Sequence, residues 1–217
     1  MTLPRRLLPS MLVLIVFAST AGAHVLDEYL QAMLVSIEPG EIRLQINLTI
    51  GVEVADKVLP SIDRDGDGVI SPQEQAAYAQ QFERDLVARL DRHELELNLI
   101  SSRFPDVVDL RGGVGIIQLE LSAPPGALTS GPHALSVENR HFPAIGAYLF
   151  NAANPNSADI QITQQKRNIN QSDGEIVFTY RPSTKSSNVV GITALLAVLA
   201  VIVVAAVWNP KRIRPFT

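Results

Sequence analysis

The sequence predicts an α+β protein, in which a β-sandwich-like domain carries one inserted helix–loop–helix and precedes one C-terminal transmembrane helix. Three observations support this class. Short runs of alternating apolar and polar residues recur along most of the chain, as they do in the half-buried strands of a sandwich. One acidic, glycine-containing segment lies between two helical patterns. A run of twenty uncharged residues lies near the C-terminus.

The first 23 residues have the pattern of a secretory signal peptide. Arg5 and Arg6 form a basic start, residues 7–18 are mostly apolar, and the small residues 21–23 suit a cleavage site. The apolar run is shorter than the ~20 residues that a spanning helix needs. We therefore expect cleavage after Ala23 and a mature chain that begins at His24.

Residues 24–187 are predicted to form one exported domain. They contain 13 basic and 22 acidic side chains, a net charge of about −9, whereas the whole chain carries −4. Such an acidic surface excludes nucleic acid as the expected partner. The chain has no cysteine, so packing rather than disulfides must stabilise this domain.

The exported domain opens with a predicted β-hairpin. Residues 25–37 and 42–50 are strand-like runs, and the turn residues 38–41 separate them. The second run alternates strictly between apolar and polar side chains, which is typical of a half-buried strand. Its apolar members are Ile42, Leu44, Ile46, Leu48 and Ile50.

A helix–loop–helix insertion is predicted at about residues 53–90. Residues 53–62 favour a short helix, which Pro60 limits to about two turns. Residues 73–90 favour a longer second helix. Ser71 can cap that helix, with Pro72 at its first position and Glu74 three residues after the serine.

The twelve residues between these helices have the spacing of an oxygen-ligand loop. The candidate ligands are Asp63, Asp65, Asp67, the backbone carbonyl of Val69, Ser71 and Glu74. Gly68 allows the tight curl that aims so many oxygens inward. The segment resembles an EF-hand loop at every ligand position, and the resemblance implies that it binds Ca²⁺.

From His93 onward the pattern is that of short strands. The residue spacing predicts between about eight and ten strands in the whole domain, enough for a sandwich. Residues 123–132, rich in proline and glycine, are expected to form a connection. The predicted strand-like runs are 95–99, 107–110, 116–121, 133–139, 147–151, 159–165 and 175–181.

Residues 188–208 are predicted to be a transmembrane helix, since twenty uncharged residues span about 30 Å as a helix. Lys211, Arg212 and Arg214 follow at once, and the positive-inside rule places such residues in the cytoplasm. We therefore expect a cytoplasmic tail at 209–217. The main domain is expected outside the cytoplasmic membrane, either periplasmic or extracellular.

A second, looser resemblance covers most of the exported domain. The residues that carry it are 24–31, the acidic loop and four later segments. In these residues the domain resembles the extracytoplasmic domains of bacterial HupE/UreJ-like membrane proteins, a family of nickel or cobalt permeases. The resemblance implies a membrane-protein partner. Those permeases carry a bundle of membrane helices, whereas this chain offers one helix without an ionisable residue. The four later segments are 138–141, 146–149, 162–168 and Gln171.

The histidines provide an alternative function. The α-amino group and imidazole of a mature His24 can together chelate copper or nickel, which suits a metal-delivery accessory protein. A second imidazole, from His133 or His141, would have to complete such a site. Those two flank one predicted strand at a separation of about 27 Å, too far to share an ion. His93 is expected at a helix end.

We predict a membrane-anchored, extracytoplasmic calcium-binding protein, in which calcium is mainly structural and the domain is an interaction module. The face that carries Gly146, Tyr148 and Phe150 is the expected contact surface for a membrane partner. The metal-delivery function and a hydrolase of unrecognised type remain alternatives. No nucleophile elbow, phosphate-binding loop or dinucleotide fingerprint is present, so we do not expect an enzyme.

Overall fold

The computed structural model describes residues 27–183. The predicted signal peptide at 1–23, the transmembrane helix at 188–208 and the tail at 209–217 lie outside the described residues, and so does His24. Within residues 27–183, no helix is both long and apolar enough to cross a membrane. The description below concerns the β-rich unit alone.

The described chain is mostly β-sheet. Its three short helices are α1 (Ala55–Val58), α2 (Pro72–Arg84) and α3 (Val107–Arg111), and two 3-10 turns lie at Val52–Val54 and Leu59–Ser61. The ten strands are β1 (Tyr29–Glu38), β2 (Glu41–Ile50), β3 (Leu86–Leu90), β4 (His93–Glu94), β5 (Asn98–Arg103), β6 (Ile116–Ala123), β7 (Gly131–Asn139), β8 (Gly146–Ala152), β9 (Ile160–Arg167) and β10 (Asp173–Tyr180).

The strands form two five-stranded sheets, which supports the predicted β-sandwich-like class. One sheet has the order β5-β6-β2-β1-β8 and the other the order β4-β3-β7-β10-β9. Neighbouring strands are antiparallel except for β1 and β8, which run parallel. Parallel neighbours need a long connection, and here the chain builds most of both sheets between those two strands.

The predicted hairpin is confirmed. β1 and β2 pair along their whole length from Tyr29 with Ile50 to Glu38 with Glu41, across a two-residue turn. All five apolar residues of β2 that alternate in the sequence are buried, and they form one hydrophobic core with buried residues of the other sheet. Burial of apolar surface at this interface is the main stabilising contribution to the fold.

The second helix of the insertion is shorter than predicted. It ends at Arg84, and residues 86–90 form strand β3, paired with β7 from Leu86 opposite Asn139 to Leu90 opposite Leu135. The expected helix to residue 90 is therefore wrong. Leu86, Ala88 and Leu90 are buried whereas the residues between them are only half-buried, a period of two that belongs to a strand.

Three further predictions need correction. The first helix is only α1 between two 3-10 turns, because Pro60 lacks the amide that would continue a helix. Residues 107–111 form helix α3 rather than a strand, and the Asp106 side chain caps it by accepting a hydrogen bond from the Asp109 amide. His93 lies in strand β4, not at a helix end.

The predicted runs from residue 116 onward are confirmed as strands β6 to β10, with boundaries that differ by a few residues. The run at 95–99 is only partly correct, because the chain pairs at His93–Glu94 and again from Asn98. The proposed contact face on β8 is wrong, since Tyr148 and Phe150 are 8% and 3% exposed and point into the protein. Leu149, between them, and Asn151 are the exposed residues on that strand.

Candidate metal centre

The acidic loop connects the 3-10 turn at Leu59–Ser61 to helix α2. Ile62 and Ile70 are both buried in the core, so the loop is anchored on either side of its acidic part. Gly66 and Gly68 have φ angles of 71° and 83°, in the left-handed region that a side chain disfavours. The sequence predicted that position 68 requires glycine, but it did not predict that position 66 requires glycine for the same reason.

Three carboxylates converge inside the loop. One oxygen from each of Asp63, Asp65 and Asp67 lies within 4.8 Å of the other two. Backbone amides of the loop point at the same side chains, which holds the loop in its curl. Asp63 accepts from the Gly68 amide at 3.1 Å, Asp65 from the Asp67 amide at 3.2 Å, and Asp67 from the Val69 amide at 2.8 Å.

Asp63 also carries an orphaned polar atom. Its Oδ1 is buried and has no hydrogen-bond partner, and within residues 27–183 it is the one side-chain oxygen or nitrogen in that condition. A buried carboxylate oxygen without a partner loses its hydration and gains nothing in return. A cation among the three aspartates would satisfy this atom, so the residues present fit a metal ion.

Glu74 and Ser71 form a capping box at the start of α2. The Ser71 hydroxyl accepts from the Glu74 amide, and Glu74 Oε2 accepts from the Ser71 amide at 2.9 Å. Glu74 Oε1 reaches across the loop to the Arg64 amide at 2.6 Å. Hydrogen bonds from the Ser71 amide and hydroxyl and from the Arg64 amide lower the pKa of Glu74 to about 2, so it is charged at neutral pH.

The six predicted ligands therefore do not form a single cluster. The three aspartates are brought together, whereas Glu74 is not a member of that cluster and Ser71 donates its hydroxyl hydrogen to Glu74. Val69 lies at the outside of the loop with its side chain 64% exposed. The loop thus presents a set of oxygen atoms only, the donor type that Ca²⁺ and Mg²⁺ prefer.

Helix α2 leads from this loop into a buried polar network that sequence reasoning missed. Tyr78 Oη lies 2.9 Å from His141 Nε2, and His141 Nδ1 lies 2.7 Å from Asp85 Oδ2. The Tyr78 hydroxyl also bonds the Tyr29 hydroxyl of β1. His141, Tyr78 and Tyr29 are fully buried, so this chain of hydrogen bonds joins α2 to the first sheet inside the core.

The backbone of His141 is held as firmly as its ring. Its carbonyl oxygen accepts from Gln31 Nε2 at 2.7 Å and from the Tyr148 hydroxyl at 2.9 Å, and its amide donates to Asn139 Oδ1. Asn139 in turn donates to Gln31 Oε1. We call Tyr29, Gln31, Tyr78, Asp85, Asn139, His141 and Tyr148 the His141 network. Five of them lie in segments quoted above for the second resemblance: Tyr29, Gln31, Asn139, His141 and Tyr148.

The second buried histidine has a different environment. His133 Nδ1 lies 2.6 Å from Asp91 Oδ2 and Nε2 lies 2.7 Å from the Thr129 carbonyl oxygen. Burial opposes a charge on His133, but the hydrogen bonds to these two acceptors outweigh it and raise its pKa. All ring nitrogens of His133 and His141 thus make hydrogen bonds within the described residues. The copper or nickel alternative, whose His24 lies outside those residues, stays a prediction.

The described part of the chain thus defines a β-sandwich-like protein with an acidic, oxygen-lined loop inserted between its second and third strands. No family model and no curated protein matches the chain. The resemblances to an EF-hand loop and to HupE/UreJ-like extracytoplasmic domains therefore stay predictions.

Proposed function

We propose that the protein binds one calcium ion in the loop from Asp63 to Glu74. The observation that carries this proposal is the convergence of three aspartates, one of which has a buried oxygen without a hydrogen-bond partner. The ligands would be Asp63, Asp65, Asp67, the Val69 carbonyl, Glu74, and Ser71 either directly or through water. Ca²⁺ takes six to eight oxygens at about 2.3–2.6 Å, which such a set supplies.

Glu74 would complete the site by a short movement of its side chain. Its carboxylate is charged, and Oε1 already lies across the loop at the Arg64 and Asp65 amides. Exchanging those two hydrogen bonds, and the Ser71 hydroxyl bond to Oε2, for an ion would make Glu74 a bidentate ligand while the helix that carries it stays in position. A long, bidentate glutamate at the twelfth position is the feature that favours Ca²⁺ over the smaller Mg²⁺.

The ion would act as a structural element rather than as a signal. Ile70, beside the ligands, is buried in the domain core and α2 packs against β3 and β5, so the loop is part of the fold. Single loops in extracellular modules have affinities of about 10⁻⁴ to 10⁻³ M. A site of that affinity is at least about half filled where calcium is millimolar, which agrees with the exported location that residues 1–23 and 188–208 predict.

The biological role that follows is that of a calcium-stabilised interaction module, anchored to the cytoplasmic membrane by residues 188–208. The acidic domain would lie outside the cytoplasm, and its partner would be a membrane protein. This part of the proposal rests on the sequence patterns and on the resemblance to HupE/UreJ-like extracytoplasmic domains.

Calorimetric titration of the purified full-length chain with calcium tests the site. We expect one binding event with a Kd in the range of about 10⁻⁴ to 10⁻³ M. Asp63→Asn and Glu74→Gln should each weaken binding by at least tenfold, because each removes a charged ligand. Glu83→Gln, on the same helix but outside the loop, is the matched control and should bind normally. Absence of calcium heat in the native protein, or equal heat in Glu74→Gln, would overturn the proposal.

A further inference from the structure

One face of α2 connects the proposed calcium site to the His141 network. Glu74, Tyr78 and Phe82 follow each other at intervals of four residues, and Asp85 caps the helix three residues later. This spacing puts all four side chains on one side of the helix. Glu74 is therefore on the same face as the two groups, Tyr78 and Asp85, that hold the His141 ring.

His141 is the residue through which that face is fixed to both sheets, by its ring and by its backbone. Tyr78 and Asp85 hold its two ring nitrogens, and the Phe82 ring packs against it with centroids 4.8 Å apart. Tyr29 and Gln31 of β1 contact the same unit from the first sheet, and Asn139 at the end of β7 contacts it from the second. Removing the ring would take away two of the hydrogen bonds that hold α2 and leave the Tyr29–Tyr78 bond and the Arg140 amide bond to the Asp85 carbonyl oxygen.

The hydrogen bonds of this network are all satisfied in one arrangement, with His141 neutral. We assign the hydrogens so that the Tyr29 hydroxyl donates to Tyr78, the Tyr78 hydroxyl donates to His141 Nε2, and His141 Nδ1–H donates to Asp85. A proton on Nε2 would force Tyr78 to turn its hydrogen toward Tyr29. The Tyr29 hydrogen would then point at no acceptor of the network, and a buried donor without a partner is costly.

The surroundings of the ring oppose a positive charge on balance. The titratable groups that face His141 are Tyr29 from β1, Tyr148 from β8, Tyr78 from α2 and Asp85 at the end of α2. Asp85 is the one carboxylate among them and favours the charge, but burial outweighs it and lowers the pKa of His141. The guanidinium of the adjacent Arg140 pairs with Glu138 on the outside.

We propose that His141 is a positioning residue for the calcium site, holding α2 and thereby Glu74 in the binding arrangement while its imidazole is neutral. Protonation of His141 loosens α2, and calcium affinity falls with it. This inference rests on the proposed calcium site. By linkage, calcium binding makes His141 harder to protonate and releases protons in the window where His141 titrates.

Two measurements on the full-length protein test the inference between pH 7.5 and 5.5, a window that lies above the ordinary titration of carboxylates. The first is hydrogen exchange of the α2 amides in chelator, expressed as protection factors so that intrinsic exchange rates cancel. The second is calorimetric calcium affinity, with linked protons measured from buffers of different ionisation heat. We expect protection of α2 and calcium affinity to fall together, affinity by at least about fivefold, the lower end of typical allosteric coupling.

Three variants separate positioning from general stability. His141→Gln can accept from Tyr78 and donate to Asp85 but cannot be protonated, so both pH dependences should disappear. Tyr78→Phe keeps a buried His141 bonded to Asp85 but removes the hydrogen bond between its Nε2 and α2, so it should weaken the dependence of affinity on pH. His133→Gln is the matched control, because it removes the other buried histidine away from α2, and it should retain the native pH dependence.

Different failures give different results. If the protein binds no calcium at pH 7.5, the calcium site is overturned and with it the inference about affinity. This holds even if the protection of α2 still depends on pH and on His141. Calcium binding that does not change between pH 7.5 and 5.5 overturns the inference and leaves the calcium site standing. The same holds if His141→Gln retains the pH dependence of the native protein.

Discussion

The ring of Phe150 lies against the backbone of Gly174, so that β8 of one sheet meets β10 of the other at a point where no side chain fits between them. A Cβ atom at Gly174 would overlap the ring carbons of Phe150. Phe150 is 3% exposed and the backbone of Gly174 is not in the left-handed region, so the glycine is required by close approach rather than by conformation. This contact is a direct measure of how tightly the two sheets are packed.

Gly174→Ala should therefore destabilise the protein by about 1–3 kcal/mol, the usual cost of forcing an extra methyl group into a packed core. Urea denaturation followed by circular dichroism measures the change in the free energy of unfolding. Gly40→Ala is the control, because a Cβ at Gly40 meets no atom within 4 Å. Equal stability of the two variants would mean that the sheets are not packed as described.

Calcium should raise the melting temperature if it binds the folded loop. At a calcium concentration of ten times Kd, the expected stabilisation is about 1.4 kcal/mol, from RT ln(1 + [L]/Kd). For a domain of this size, that corresponds to a rise of roughly 3–6 °C. Differential scanning fluorimetry in chelator and in about 5 mM calcium, ten times a Kd in the middle of the range for extracellular modules, makes the comparison.

The Asp63→Asn variant provides the control for that shift. It removes the charge at the buried, unpartnered oxygen, so its melting temperature should respond to calcium much less than that of the native protein; a tenfold weaker site gives at most about 0.4 kcal/mol at the same concentration. An unchanged melting temperature in the native protein would mean that the loop does not stabilise the fold through an ion.

The predicted membrane topology is tested by reporter fusions in a bacterial host. Alkaline phosphatase is active only when exported. A fusion after Ser187 should be active, and a fusion after Thr217, beyond the basic residues that favour the cytoplasm, should be inactive. The reverse pattern would remove the compartment argument on which the weak calcium affinity rests.

Local sequence patterns predicted the hairpin and the acidic loop well, because each depends on residues near in sequence. The alternation in β2 and the cap from Ser71 to Glu74 both required only neighbours. Residues 86–90 were assigned wrongly to a helix because their strand character comes from pairing with β7, about fifty residues away. For such a segment, tertiary pairing overrides the helical pattern that precedes it.

The His141 network was not predictable for the same reason. Tyr78 and His141 are 63 positions apart, and Gln31 and His141 are 110 positions apart. A single sequence offers no signal that couples such residues. A polar Gln31 in the otherwise apolar, inward-facing set of β1 was the one local hint that this strand meets a buried polar partner.

The two buried histidines should give the stability of the protein opposite dependences on pH. The pKa of His141 is lowered by burial, so the folded protein binds fewer protons than the unfolded chain below the ordinary histidine pKa of about 6.5. Stability from His141 is therefore present above that pH and is lost as the pH falls. Burial opposes a charge on His133, yet hydrogen bonds to Asp91 and Thr129 raise its pKa. The contribution of His133 to stability is therefore present below about pH 6.5, and it is lost as the pH rises through the pKa of His133 in the folded protein.

Single substitutions separate these contributions. The destabilisation caused by His141→Gln, measured by urea denaturation from pH 5 to 8, should be greatest at the alkaline end and shrink as the pH falls, because the native protein loses the benefit of a neutral His141 in acid. The destabilisation caused by His133→Gln should be greatest at the acidic end and shrink as the pH rises, because the native protein loses the benefit of a charged His133. The double variant should show a flatter stability curve than the native protein across this range. If the destabilisation changed with pH in the same way in both single variants, the assignment of a neutral ring to His141 and a charged ring to His133 would be wrong. The direction of the proposed proton linkage depends on the neutral ring of His141.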